Sequence, residues 1–255
     1  MADKPHEVLR RHGVENVLEV LHETDRGTLW FLTCPGGQGA IDLWQALREI
    51  VAETKHWPVI LGSEEEIENH RETLADAIPA SELLDVAQQL DGENVLLERE
   101  QQQRDDMAEF GGDEGDLDPG PWPQDAEPND SFTLPFDILT RKPLATVAIA
   151  LIPTERSWEV PAFLNFGGFN DCPSPSEHIA VMKRWKQLFG AEVVGISHDV
   201  VEMRVSKPPT DRESALELAR EQYAYCIDIV EQGTQTQSKL AASLLNGPAW
   251  YFWWD

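Results

Sequence analysis

Asn170, Asp171 and Cys172 stand together in the segment FNDCP, and His178 follows six residues after the cysteine. A thiol with an imidazole and a carboxylate nearby is the residue set of nucleophilic catalysis. Ser174, Pro175 and Glu177 read as the start of a helix, and a helix N-terminus stabilises a thiolate placed just before it. The same residues also have plainer uses, because Asn and Asp before Pro are turn formers and a small thiol fills a core. Three uses therefore stand side by side at this loop: catalysis, contact with a ligand or partner, and a structural turn.

A second group, Tyr225, Cys226 and Asp228, lies around the end of another helix in EQYAYCID, and Trp254 sits in the terminal FWWD. If the two helices share one face of a sheet, Asp171, Cys172, Tyr225, Cys226, Asp228 and Trp254 meet in one pocket, with Asn170 and His178 beside it. The spacing of His and Cys matches no zinc pattern, so no metal and no cofactor is expected. In the first half, PGGQGAID between a strand and a helix lacks the residues of a phosphate loop and reads as an ordinary turn.

These groups must be positioned by elements that the apolar spacing outlines. An amphipathic start is expected over Val14 to Leu21. TLWFLTC from Thr28 reads as a buried strand, a helix carries Ile41, Leu43, Trp44, Leu47 and Ile50, and WPVILG from Trp57 supplies a second strand. Strand, helix and strand in this order predict a parallel βαβ unit. Ser63 with Glu66 predicts a capping box, and Ser81 opens a further helix. After Leu144 the chain predicts a strand in LATVAIALIP and a helix with the stripe Ile179, Met182, Trp185 and Phe189, ended by Gly190. EVVGIS and VVEMRVS predict a hairpin, Thr210 with Glu213 opens a helix, and Leu240 to Leu245 lie on another. In AWYFWWD both faces are apolar, which predicts a strand that is central or covered on both sides.

Between Glu98 and Asp130 stand twelve acidic residues against two arginines, with Gly and Pro dense in the later part. Such a segment buries too little apolar surface to order itself and reads as a linker or long loop, or as an acidic arm. The resulting division is 1–104 with the βαβ unit, 105–130 as acidic Gly/Pro-rich linker, and 131–255 as a C-terminal domain. The fold class expected is α/β, with α+β character in the C-terminal half: a mixed sheet with helices packed on it.

The formal charge of −26 repels nucleic acid and anionic membrane surfaces, so neither is an expected partner, whereas a basic protein is. The N-terminus has no apolar signal region and no long apolar run occurs, so a cytoplasmic location is expected. Cys34, Cys172 and Cys226, odd in number and widely spaced, fit reduced thiols there. The seven histidines have no ligand spacing and are expected mainly at the surface.

FNDCP, RWKQLFGAEVVGIS from Arg184, the double Pro before Asp211, EQYAYC and the terminal FWWD resemble a widespread bacterial family of domains of unknown function. The resemblance covers roughly Leu144 to Asp255, with Ile227 standing where a Pro is expected. It implies no activity. The function expected is that of a non-enzymatic protein-binding module, an immunity-like neutraliser of a basic partner protein. The alternative is a cysteine- or carboxylate-dependent hydrolase or transferase acting at the Asp171/Cys172 loop. Nothing in the pattern sets an oligomeric state.

Overall fold

The computed structural model describes residues 5–109, 119–125 and 127–255. The first part of the chain forms α1 (Pro5–Arg11), β1 (Glu19–Thr24), β2 (Gly27–Cys34), α2 (Gln38–Glu49), α3 (Val51–Thr54), β3 (Trp57–Gly62), α4 (Glu64–Ala75), α5 (Ala80–Ala87) and α6 (Gly92–Glu109). The remainder forms β4 (Val147–Ile152), α7 (Val160–Leu164), α8 (Pro175–Phe189), β5 (Glu192–Ile196), β6 (Val200–Arg204), α9 (Arg212–Tyr225), a π-turn (Ile229–Thr234), α10 (Gln237–Leu244) and β7 (Ala249–Trp253).

The strands make one seven-stranded mixed sheet in the order β1-β2-β4-β3-β5-β6-β7, with helices packed on it, so the protein is of the α/β class. Among the described residues only β3 and β5 are parallel neighbours; the other adjacent pairs are antiparallel. Near-continuous aliphatic runs require cover on both faces, and every residue of β3 and β4 is buried at the sheet centre. β2 and β3 run parallel, as their strand-helix-strand order predicts, but β4 is inserted between them and pairs antiparallel with both. The βαβ unit is thus split by a strand from beyond residue 131. Strands of the two segments divided at 105–130 interleave in a single sheet.

Several local expectations need correction. Residues 14–18 are irregular and β1 follows, paired with β2 through Glu19↔Phe31 to Thr24↔Gly27. Residues 105–109 continue α6, while 110–118 and 126 of the expected linker lie outside the described residues. β7 is not central: it is the outer strand beyond β6, with Trp250 and Phe252 buried and Tyr251 and Trp253 half-buried. The start of α9 is capped one residue later than expected, by Asp211, whose carboxylate accepts the Ser214 N–H at 3.0 Å.

The Ser174 capping box does form, with the Glu177 carboxylate accepting the Ser174 N–H at 2.7 Å, and Gly190 ends α8 at φ 63°. Ser63 begins α4 without such a box. Its expected partner Glu66 reaches across to the β5–β6 turn, accepting from the His198 N–H at 2.9 Å and meeting its Nδ1 at 2.8 Å. A distant unpaired backbone donor outcompetes the local one.

Candidate functional site

The FNDCP loop turns tightly before α8. Asn170 lies at φ 46°, and the Cys172 N–H donates to the Phe169 carbonyl at 2.8 Å. Gly167, at φ 113°, leaves the loop room to lie on His178: a Cβ there would be 2.8 Å from Cδ2 and Nε2 of that ring. This close approach brings Cys172 Sγ to 3.3 Å from His178 Nε2, and His178 Nδ1 lies 2.5 Å from the Tyr225 hydroxyl. The Trp254 ring stands edge-on to both, 5.5 Å from His178 and 5.5 Å from Tyr225 between centroids. The two cysteine-bearing segments therefore meet, and the Cys226 thiol donates to the Trp253 carbonyl at 3.0 Å.

This centre is buried and uncharged. His178 is fully buried and Cys172 is 5% exposed. Burial holds the His178 imidazole down at about 3, with the nearby Arg99 acting in the same direction. Burial likewise pushes the Cys172 thiol well above its ordinary range, with Cys226 adding to it, and raises Cys226 to about 12. Tyr225 is raised in the same way. Whichever way the proton chain Cys172–His178–Tyr225 is oriented, all three members stay neutral at physiological pH. A thiolate at the helix N-terminus, the premise of nucleophilic chemistry, is not what this environment favours. Iodoacetamide at pH 8 is accordingly expected to modify native Cys172 on the order of a hundredfold more slowly than an exposed thiol, with all three cysteines modified in denaturant. Rapid single alkylation at Cys172 of the native protein would contradict this.

The polar members lie at the rim. The Asn170 amide donates to the Asp255 carbonyl, and the Asp255 N–H donates to Asp228 Oδ2 at 3.2 Å, so residue 255 is tied to both loops. Arg99 on α6, absent from the sequence expectation, donates to the carbonyls of Asp171 at 2.5 Å and Ala224 at 3.1 Å. Gln103, one turn on, donates to the Tyr223 carbonyl at 3.1 Å. These side chains satisfy the carbonyls left over at the end of α9. Among the described residues no group of three or more His, Cys, Asp or Glu side chains is placed to hold a metal ion. His70 is buried too, its Nε2 at 3.1 Å from the Ile196 carbonyl, which corrects the surface expectation for that histidine.

A second feature is invisible in the sequence. β2, β3, β5 and β7 share one direction, so Cys34, Gly62, Ile196 and Trp253 end on one edge of the sheet. In mostly parallel sheets ligands gather at such an edge; in this mixed sheet β1, β4 and β6 begin there. Here it carries an open cleft of about 480 Å³ lined by Glu66, Asp137 and Asp199, by Tyr251, Trp253 and Phe136, and by His198. Asp199 accepts the Trp253 indole N–H at 3.2 Å and the Ser197 hydroxyl at 3.0 Å. Residues 133–144 cover one side: the Gly37 N–H donates to the Pro135 carbonyl and the Gly36 N–H to the Leu144 carbonyl, which closes the PGGQG turn against its neighbours. Neither Lys nor Arg is among the cleft's described lining residues.

Compared with known proteins, residues 148–255 match the model of a protein family described as a domain of unknown function (DUF4253), in line with the resemblance over Leu144–Asp255. No curated protein and no solved structure gives a significant match. The matched segment contributes β4 to β7, whereas β3, which stands between β4 and β5, comes from outside it.

Proposed function

We propose that the chain is a non-enzymatic binding module for a basic protein, with an immunity-like neutralising role, and that the partner is received at the carboxyl edge of the sheet. The observation that carries this reading is the cleft itself: three carboxylates and the two half-buried rings of Tyr251 and Trp253 line a concave surface in a chain of formal charge −26. A lysine or arginine side chain is the complementary group, held by carboxylates and by cation–π contact. The hydrolase or transferase alternative at Asp171/Cys172 has less support, because its thiol is sealed and neutral.

The test compares the wild-type chain with the Asp137→Asn/Asp199→Asn double variant, which removes two charges and keeps the acceptor oxygens. Immobilised wild type is expected to retain a basic protein from a lysate of the source cell, released by salt, and the variant to bind it at least about tenfold more weakly. Equal retention of that protein by the two chains, or retention of no basic protein, would sink the reading.

A further inference from the structure

Three aromatic rings line the carboxyl-edge cleft without packing on anything aromatic or basic. Tyr251 and Trp253 stand two residues apart on one face of β7, about 7 Å along the strand. Phe136 comes from the cover formed by residues 133–144, and all three are half-buried. Elsewhere the rings of this protein pack on one another, as Trp185, Tyr225, Phe252 and Trp254 do. Among the described residues Phe136, Tyr251 and Trp253 meet no other ring. Nor does a basic side chain cover them: the cation–π pairs are Arg71 on Phe31 and Arg212 on Trp122. Arg141, on the turn after Phe136, is near enough to favour ionisation of Tyr251, yet it does not lie over the ring.

The three carboxylates of the cleft supply charge but few open acceptor sites. Glu66 meets the His198 N–H with Oε2 and the His198 Nδ1 with Oε1. Asp137 Oδ1 accepts both the N–H and the hydroxyl of Thr140 at 2.7 Å. Asp199 accepts the Ser197 hydroxyl on Oδ1 and the Trp253 indole N–H on Oδ2. Of the six oxygens, Asp137 Oδ2 alone meets no donor among the described residues. A guanidinium brings five N–H donors and a lysine ammonium three, and each costs free energy if it is desolvated without an acceptor. A quaternary ammonium brings none. It requires a negative field and aromatic faces, and the cleft has both.

We propose that the cation received in this cleft is a quaternary ammonium, the side chain of a trimethylated lysine on the basic partner. This rests on the reading of the carboxyl edge as the partner's seat, and narrows it from basic side chains in general to one alkylated form. The methyl groups lie against Tyr251, Trp253 and Phe136. Asp137 and Asp199 supply the counter-charge while their hydrogen bonds to Thr140, Ser197 and Trp253 stay in place.

The probes are the N-acetyl N-methylamides of trimethyl-lysine, lysine and arginine, titrated into the ¹⁵N-labelled full chain and read at the Trp253 indole, which is assigned by its loss in Trp253→Phe. The trimethyl-lysine probe is expected to saturate and to bind at least about tenfold more tightly than the other two. Its neutral isostere, with carbon in place of the ammonium nitrogen, is expected to bind at least about tenfold more weakly, because cation–π attraction requires the charge. Tyr251→Leu is expected to bring the trimethyl-lysine probe down to the level of lysine. No saturable shift up to about 10 mM trimethyl-lysine probe would overturn the proposal. Equal affinity for trimethyl-lysine and either lysine or the isostere would do the same, in wild type alone and however the variant folds. Choline carries the same headgroup without a peptide, and tighter binding of choline than of the trimethyl-lysine probe would overturn the protein source. Retention of a basic protein from the lysate with no preference for the trimethylated probe would sink this inference and leave the partner reading intact. The reverse result, that preference with no basic protein retained, would sink the partner reading and leave the cleft a quaternary-ammonium site.

Discussion

A fragment comprising residues 131–255, expressed alone, is expected to be unfolded, although it contains the whole segment that matches the family model. In the full chain β4 pairs with β2 on one side and β3 on the other, so the fragment leaves both of its edges bare. The cut also strips β5 of β3 and removes the helices of the first segment, among them α2, whose Arg48 holds Glu192 of β5 at 2.6 Å. Val147, Ile149, Leu151 and Ile152 are buried at 1% exposure or less. Each is worth roughly 1.5–3 kcal/mol when fully buried, so returning four of them to water costs about 6–12 kcal/mol. That sum is the size of a whole domain's stability, about 5–15 kcal/mol, before the unpaired backbone groups are counted. Circular dichroism and the dispersion of the amide spectrum check this. A cooperative thermal transition in the isolated fragment would show that β4 finds other partners, and that 131–255 is an independent domain after all.

The same inserted strand separates what the residues alone make legible from what they do not. Strand identity can be read from short apolar runs such as WPVILG and VAIALI, and the ends of α8 from Ser174 and Gly190, because those signals are local. Sheet order cannot, since nothing within VAIALI specifies that it enters between β2 and β3 instead of beside its successor. α6 is obscured for a different reason. Its charge suggests a linker, yet the pairs Glu100–Arg104, Gln101–Asp105 and Gln102–Asp106 are spaced one helical turn apart, and each makes a side-chain hydrogen bond at 2.7–2.8 Å. That periodicity is the available sign of a helix. Its first turns dock through Val95 and Leu96, each 4% exposed, and the turns that follow through polar contacts: Arg99 and Gln103 on the end of α9, and Arg220 paired with Glu100 at 2.7 Å.

The meeting of Cys172, His178, Tyr225, Cys226 and Trp254 follows from reading the tail as a strand, while the chemistry at the meeting point does not. A residue list gives no burial depth, and burial decides here whether a thiol beside an imidazole is a nucleophile or a neutral strut. The tail divides its aromatic residues accordingly. Phe252 stacks on Trp185 at 5.5 Å with an interplanar angle of 8°, and Trp254 closes the thiol centre, whereas Trp253 turns its indole N–H to Asp199 at the cleft. One short segment thus joins the sealed centre to the open one.

Stability is expected to fall as pH rises from about 5 to 8 through one buried carboxyl group, Glu202. It is 1% exposed, and its carboxylate faces the Thr133 N–H at 2.5 Å, the Thr133 hydroxyl at 2.8 Å and the Leu134 N–H at 3.4 Å. Burial drives its pKa up to about 7 from an ordinary 4.5, and the three donors offset only part of that rise. The folded state therefore keeps this proton to higher pH than the unfolded chain does. The associated stability is fully present below about 4.5, declines through the window between 4.5 and 7, and is lost above it, by about 3 kcal/mol in all. His56, His70 and His178, whose pKa values burial lowers, act with the opposite sign, costing stability as pH drops below their ordinary 6.5. The wild-type curve mixes the two, so the measurement is its difference from Glu202→Gln, which keeps an acceptor for Thr133 and cannot ionise. The variant is expected to match wild type near pH 4.5 and to exceed it by about 2–3 kcal/mol at pH 8 in urea unfolding. Parallel curves across that range would mean that Glu202 ionises freely.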